Sequence, residues 1–370
     1  MSRRRFSAAR NRSGSVPLVF GVGVLSVAIL GGVLWASPRG GPPARPPAKI
    51  VAAPAPGPLP EVAQAQPSPK VDLPQPGQDQ SPPQEKPKSE MPKEETQPAV
   101  AKAEDPKPAA GGERPGWKLV WSDEFERDGA PDPARWNYET GFVRNAELQF
   151  YTRDRRENAR VENGCLVIEG RKERFPNPNF KAGAKGDWNK SKEFADYTAA
   201  SLTTKGLAAW TYGRVEVRAK LPTGRGTWPA IWMLGTNIDK VGWPKCGEID
   251  IMENVGFDPD GIHTTVHTAK YNHVRKTAKG HRETVSKPYA DFHLYAIEWD
   301  AKKIDFFVDD RKVFTFADDG GGEDAWPFNH DHYLLLNFAI GGGWGGAKGV
   351  DEGIWPQKYC IDYVRVYQRP

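Results

Sequence analysis

The fold of this chain is most constrained by an alternation of apolar and polar side chains that recurs from Trp117 onward. In "GRVEVRAKL", residues 213–221, two valines and an alanine occupy alternate positions, and charged residues fill most positions between them. Successive side chains of a strand point to opposite faces, so this pattern predicts strands that bury one face. No comparably long stretch shows the apolar period of an amphipathic helix.

Other segments repeat the alternation and are separated by turn residues. We expect one hairpin at 303–316, turning at Asp309-Asp310-Arg311, and another turn at Asn163-Gly164. Further strands are expected at 230–234, 293–299, 333–340 and 361–368. Strands without intervening helices favour an all-β sandwich of two antiparallel sheets over a parallel α/β sheet.

Composition divides the chain into three parts. Residues 37–115 hold 21 of the 34 prolines and no Phe, Trp or Tyr. Such a segment cannot bury enough apolar surface to fold, so we predict a disordered linker. The remaining 255 residues, 116–370, have a size common for a single all-β domain.

The N-terminal part, 1–36, combines five arginines with an uncharged, mostly apolar run at 16–36. The 21 residues of this run match the roughly 20 that span a bilayer. We therefore expect a cytoplasmic basic stub and a signal anchor, with everything after Ala36 exported and tethered to the membrane. A cleaved signal peptide, which would leave a secreted protein, is the alternative because Ala36 is a small residue.

Charge and cysteine content exclude two classes of function. The folded part carries 36 basic and 37 acidic side chains, a net charge of −1, and nucleic-acid binding usually needs a basic surface. Three cysteines without a CxxC or a Cys/His cluster give no support for a zinc site. Nothing in the sequence indicates an oligomer, so we expect a monomer.

The stretch "GEIDIMENVG", residues 247–256, carries three acids in an irregular alternation. Glu248 and Asp250 share one face of a regular strand, but Glu253 arrives one residue late. A β-bulge that absorbs Met252 or a neighbour would bring all three acids to the same face, and bulges concentrate beside active sites. Carboxylates this close cannot all ionise freely, so at least one pKa should be raised, as a general acid requires.

An exposed polar strand face or a calcium site would also explain three acids. The flanking Ile249 and Ile251 indicate that the opposite face is core, and the aromatic segment "GTWPAIWMLG" lies just upstream. All tryptophans but Trp35, of thirteen in the chain, fall in the folded part, which is more than a sandwich core requires. We therefore expect some tryptophans to lie in a groove.

Two longer segments, "YGRVEVRAKLPTGRGTWPAIWMLG" and "WPKCGEIDIMENVG", resemble glycoside hydrolase family 16, and within it the bacterial endo-1,3-β-glucanases. Other matching segments follow in family order: "LVWSDEF", "NAELQFYT", "TVHTAKYNH", "FHLYAIEWD", "LLLNFAIGGGWGG" and "IDYVRVYQ". The resemblance covers 117–369 and implies a concanavalin-like β-jelly-roll sandwich with a substrate cleft on the concave face.

The resemblance also implies catalytic roles. It makes Glu248 the nucleophile, Glu253 the general acid/base and Asp250 the assisting carboxylate of a retaining, double-displacement hydrolysis. No cofactor is required for such catalysis. The late position of Glu253 is that of the bulged motif found in the laminarinase, agarase and carrageenase branches.

Further residues match family positions that contact substrate or metal. The matching substrate-binding candidates are Asn145, Arg218, Trp232 and His267. Trp228, four residues before Trp232 on the same strand face, and Trp344, in a glycine-rich loop with little to pack against, are added as candidates for sugar contact. A surface salt bridge is the competing interpretation for Arg218, and core packing is the competing interpretation for Trp228 and Trp232. A structural Ca²⁺, held largely by backbone oxygens, is implied at Glu124, Gly164 and Asp362. Cys165 and Cys360 flank these positions, and whether they pair is left open.

The resulting expectation is an endo-acting β-glucanase that cleaves internal β-1,3 or mixed β-1,3-1,4 bonds of laminarin-like polysaccharides. Two alternatives remain. One is an agarase or carrageenase of the same family, whose cleft typically needs cationic residues for sulfate. The other is a catalytically silent carbohydrate-binding protein, against which the retention of all three carboxylates argues.

Overall fold

The computed structural model describes residues 112–370. The N-terminal part and almost all of the predicted linker therefore lie outside the described residues, and those predictions stay predictions. Arg114, which lies before the expected boundary at 116, forms a salt bridge with Asp310 at 2.9 Å. Within 112–370, no helix has the length and apolarity needed to cross a membrane.

Strands are the main regular structure of the described part. Residues 112–370 form seventeen strands, in chain order β1 (Lys118–Asp123), β2 (Asn137–Tyr138), β3 (Gln149–Tyr151), β4 (Ala159–Glu162), β5 (Cys165–Pro176), β6 (Phe194–Ala199), β7 (Ser201–Thr203), β8 (Gly213–Lys220), β9 (Thr227–Gly235), β10 (Glu248–Val255), β11 (Asp258–His267), β12 (Lys279–Thr284), β13 (His293–Trp299), β14 (Lys303–Val308), β15 (Arg311–Ala317), β16 (His332–Ile340) and β17 (Gln357–Gln368). They also form three short helices, α1 (Trp188–Ser191), α2 (Ile238–Val241) and α3 (Gly342–Gly345).

These strands build two sheets. One sheet follows the order β15-β14-β13-β8-β17-β5-β6-β3, with β1 added beside β17 and β4 beside β5. The other follows β12-β11-β10-β9-β16-β7-β2. Pairing is antiparallel except between β3 and β6. The predicted all-β sandwich of antiparallel sheets is confirmed.

The core lies between the two sheets. Alternate residues of β8, including Val215 and Val217, are fully or almost fully buried and belong to one apolar cluster with Ile231 and Met233 of β9. Burying an aliphatic side chain contributes about 1.5–3 kcal/mol. The alternation seen in the sequence therefore records which side of each strand faces the other sheet.

Both predicted turns are present. Asp309 and Asp310 have φ values of 49° and 60°, and Asn163 and Gly164 have φ values of 54° and 74°. Two consecutive left-handed residues form the type I′ turn that matches the twist of a hairpin, and Asn, Asp and Gly tolerate this conformation best. The strands predicted at 230–234, 293–299, 333–340 and 361–368 all lie within observed strands.

The predicted bulge lies in β10. From Asp250 to Glu253 this strand advances three residues, while the paired residues of β11 advance two, from Thr265 to His263. Ile251 and Met252 are both buried in the core cluster, so two consecutive side chains point inward at this step. The extra residue returns Glu253 to the side of the sheet that carries Asp250.

Candidate active site

The outer face of the smaller sheet forms a cleft of about 550 Å³. Strands β9, β10, β11 and β16 supply its floor, and loops at both ends supply its walls. The lining residues are Arg144, Asn145, Glu147, Trp228, Ala230, Trp232, Glu248, Asp250, Glu253, His263, Thr265, His267, His273, Ala278, Asn337, Ala339, Gly343 and Trp344. All three acids of the motif are therefore brought together in this cleft.

Glu253 has the environment of a proton donor. Burial raises its pKa to about 7, against a hydrogen bond from Trp228 that lowers it, and the charges of Glu248 and Glu147 raise it further. The Trp228 Nε1 donates to Glu253 Oε1 at 3.0 Å. A carboxyl group whose pKa lies near neutrality can both give and accept a proton at working pH.

Asp250 and Glu248 behave as a pair. Burial and the nearby charges of Glu248 and Glu253 raise the pKa of Asp250 well above its ordinary value. Burial also raises the pKa of Glu248, while hydrogen bonds from Trp243 and Asp250 oppose this effect. The arrangement therefore keeps a proton on Asp250, which donates it in a hydrogen bond to an ionised Glu248. An ionised carboxylate is the form that acts as a nucleophile.

Trp243 is a functional candidate that the sequence analysis missed. Its Nε1 donates to Glu248 Oε2 at 2.5 Å, and its ring is 36% exposed. The ring also lies 5.1 Å from that of His273. Its position only five residues before Glu248 could have indicated a role in the site. Trp243 lies in a loop, however, where no alternation of side chains shows which way the ring points.

His267 lies beside the carboxylates, as expected. Its Nε2 is 3.4 Å from Asp250 Oδ2, and the residue is only 7% exposed. Burial and the neighbouring His273 lower the pKa of His267 to about 4. The imidazole is therefore neutral at physiological pH, and its contact with Asp250 is not an ion pair.

The three predicted tryptophans all border the cleft, in different settings. Trp228 and Trp344 are half-buried and meet edge to face with their centroids 5.6 Å apart. Trp232 is only 7% exposed, and its Nε1 donates to Asn337 Oδ1 at 2.7 Å. Apolar C–H faces of sugars pack well on exposed aromatic rings, so Trp344 and Trp228 present the more accessible surfaces.

Asn145 and Glu147 stand at the rim of the cleft. Asn145 is exposed, and its Nδ2 donates to Glu147 Oε1 at 3.2 Å. Glu147 is a buried fourth acid that also accepts hydrogen bonds from Gln149 and Tyr151, and burial raises its pKa. Sequence analysis selected Asn145 but overlooked Glu147, although both belong to one quoted segment.

Arg218 does not reach the cleft, which corrects its predicted contact with substrate. It lies on β8 in the opposite sheet, where its Nη1 donates to Asp362 Oδ2 at 2.7 Å. Its guanidinium also lies 4.9 Å from the ring of Phe292. The polar side of β8 faces away from the core on the far side of the sandwich, so the competing salt-bridge interpretation is the correct one.

The residues implied for calcium lie on that same opposite sheet. Glu124 accepts two hydrogen bonds of 2.9 Å from Arg365, Asp362 binds Arg218, and Gly164 occupies a turn. Both carboxylates are thus engaged by arginines, which is a poor fit to a cation that needs their charge. The calcium site stays a prediction.

The disulfide left open between Cys165 and Cys360 is not formed, since Cys360 is a thiol. Cys360 lies opposite Val167 of β5, two residues along the strand from Cys165. Diagonal neighbours on paired strands are about 7–8 Å apart, beyond the usual reach of a disulfide.

Comparison with known proteins gives a consistent result. The sequence profile of glycosyl hydrolases family 16 matches residues 148–365. A β-glucanase of Rhodothermus marinus is 48% identical over 263 residues, which cover 69% of this chain and 86% of that protein. A glucan endo-1,3-β-glucosidase of Cryptopygus antarcticus is 35% identical, and the match covers 67% of this chain and 91% of that protein. The X-ray structure of the laminarinase from Rhodothermus marinus matches with a TM-score of 0.62 at 48% identity. The match covers 68% of this chain and 97% of that structure.

The setting of Glu253 predicts opposite pH effects for two substitutions. Trp228→Phe keeps the ring but removes the donor that stabilises the ionised carboxylate, so the Glu253 pKa rises and the alkaline limb of kcat/KM moves to higher pH. Glu147→Gln removes a nearby negative charge, so the pKa falls and the limb moves to lower pH. Each shift should be roughly one pH unit or less.

The measurement is the pH dependence of kcat/KM for glycoside hydrolysis by the parent and both variants. Glu323→Gln removes an exposed acid outside the cleft and serves as the matched control, whose limb should stay in place. Movement of the limb in the same direction in Trp228→Phe and Glu147→Gln would contradict the assignment of Glu253 as the proton donor.

Proposed function

Because the chain belongs to glycosyl hydrolases family 16, we propose that it is an endo-acting, retaining β-glucanase. Its substrates are the internal β-1,3 or mixed β-1,3-1,4 bonds of laminarin-like glucans. The observation that carries the proposal is the row of Glu248, Asp250 and Glu253 on the floor of an open cleft. The similarity to β-glucanases and laminarinases supports the choice of substrate.

The first half of the reaction forms a covalent intermediate. Glu253 gives its proton to the glycosidic oxygen as that bond breaks, and the chain carrying the new free hydroxyl leaves. Glu248 forms an ester with the anomeric carbon. The hydrogen bonds from Trp243 and Asp250 hold the Glu248 carboxylate in one orientation.

The second half restores the enzyme. The Glu253 carboxylate takes a proton from water, and the water oxygen attacks the anomeric carbon while the bond to Glu248 breaks. Two displacements at the same carbon return the original anomeric configuration. Asp250 keeps its proton throughout and weakens or strengthens its hydrogen bond as the charge on Glu248 changes.

The charges of the cleft favour a neutral polysaccharide. Four acids line it, against one arginine and no lysine among the described lining residues. The arginine, Arg144, already forms a salt bridge with Glu139. A sulfated galactan would bring negative charge to a surface without an available counter-charge, which disfavours the carrageenase alternative.

The test is reducing-sugar release by the full-length chain from laminarin, lichenan, agarose and κ-carrageenan. We expect release from laminarin, and a loss of about 10²–10⁴-fold in kcat for Glu253→Ala because general acid–base catalysis contributes that much. Glu323→Ala should match the parent, since Glu323 is exposed and outside the cleft.

Added azide sharpens the result, because a small anion can attack the glycosyl-enzyme without the help of a base. Azide should therefore restore turnover in Glu253→Ala on a substrate with a good leaving group, giving a β-glycosyl azide. Release from a galactan alone would overturn the glucan specificity. Parent-level activity of Glu253→Ala on laminarin would overturn the catalytic role.

We also propose that the catalytic domain acts outside the cytoplasm, tethered by the apolar run at 16–36 or released by cleavage after it. The test is to express the full-length chain in a bacterial host and to add protease to intact spheroplasts. The domain should be degraded or found in the medium, and a fully protected domain would contradict export.

A further inference from the structure

Arg144 is fixed in the wall of the cleft by two contacts. Its Nη2 donates to Glu139 in a short hydrogen bond, and its guanidinium carbon lies 4.8 Å from the ring centre of Trp232. Glu139 is itself held by a 2.6 Å hydrogen bond from the Ser201 hydroxyl. The guanidinium is therefore held by an aromatic ring on one face and by an ion pair at one end.

At the other end of the guanidinium, residues 112–370 supply no hydrogen-bond partner. Arg144 Nη1 is buried but makes no hydrogen bond among the described residues. A buried donor left unsatisfied is costly, and most such groups in native proteins find a partner. Arg144 lines the cleft and its side chain is 22% exposed, so a molecule bound in the cleft is a candidate source of that acceptor.

We propose that Arg144 is a substrate-binding residue that donates from Nη1 to a hydroxyl of the sugar seated against Glu248. The inference rests on the proposed glycoside hydrolase function and adds a recognition element to it. Neither the alternation of the strands nor the resemblance singled out this residue. It precedes Asn145, which borders the same cleft.

The charge around Arg144 selects a neutral acceptor over an anion. The carboxylate of Glu139 pairs with it directly, and Glu147 and Glu248 add negative potential close by. A sulfate or carboxylate on the substrate would meet these acids together with the arginine. A sugar hydroxyl accepts the same hydrogen bond and carries no charge to be repelled.

The contact with Trp232 changes how this part of the cleft recognises a sugar. The guanidinium covers the ring, and the ring is only 7% exposed. Trp232 therefore serves as a platform that orients Arg144 rather than as a face for stacking a pyranose. Recognition beside Glu248 is then by hydrogen bonding, and stacking is left to the more accessible Trp344 and Trp228.

Isothermal titration calorimetry tests this on the full-length chain carrying Glu253→Gln, which leaves a bound oligosaccharide intact. Arg144→Lys keeps the positive charge but removes the second NH₂ group of the guanidinium, and Arg144→Gln keeps a planar donor without the charge. For either folded variant we expect the Kd for laminarihexaose to rise about tenfold or more, as loss of a charged hydrogen bond predicts.

Arg153→Lys in the same background is the matched control. Arg153 donates to the backbone oxygen of Tyr138 at 2.9 Å and lies outside the cleft lining. Its Kd should stay within about twofold of the parent. Equal thermal midpoints of parent and variants show that a weaker Kd reports a lost contact and not a disturbed fold.

Titration with neoagarohexaose separates the two proposals. If the parent binds only this galactan, the glucan specificity fails, and the Arg144 comparison is made on the galactan. The variants are compared with the parent on whichever hexasaccharide the parent binds. If the Arg144 variants bind it with the same Kd as the parent, the proposed role of Arg144 is overturned. Failure of the parent to bind either hexasaccharide would overturn both.

Discussion

One strand must satisfy two opposite environments, and the rest of the site depends on how it does so. On one side of β10, Ile249, Ile251 and Met252 are packed in the core between the sheets, with at most 1% of each exposed. On the other side, three carboxylates face the cleft. The bulge allows two consecutive apolar residues to point inward, so the core is filled without turning Glu253 away from the other acids. Core packing and catalytic geometry are therefore one constraint.

The same burial that makes the acids costly makes them useful. Little solvent reaches Asp250, so its charged form is disfavoured and it holds a proton for Glu248. The pKa of Glu253 is raised less, to about 7, because the hydrogen bond from Trp228 stabilises its carboxylate. Indole donors from two separate elements, β9 and the loop before β10, thus tune two carboxylates toward different roles. Pairs of acids driven apart in pKa by their surroundings are typical of glycoside hydrolysis.

Sequence alone predicted the strands, the turns and the bulge because each depends on local side-chain order. It was wrong about Arg218, whose substrate contact was implied by the resemblance. Alternation could not correct this, because it shows that a residue points away from the core but not which of the two sheets borders the cleft. It missed Arg144 and Trp243 because both lie in irregular segments, where no period assigns a direction. The importance of Arg144 depends on Trp232, which is distant in the chain. The importance of Trp243 depends on the loop geometry that turns its indole toward Glu248.

The central claim is that Glu248 attacks the anomeric carbon while Glu253 protonates the leaving oxygen. Mass spectrometry after reaction with a 2-deoxy-2-fluoro-laminaribiosyl fluoride tests it most directly, because the fluorine slows the second displacement and the covalent glycosyl-enzyme accumulates. We expect one added glycosyl group, located on the peptide that contains Glu248 and absent in Glu248→Gln. A label on Glu253, or inactivation without any covalent adduct, would contradict it.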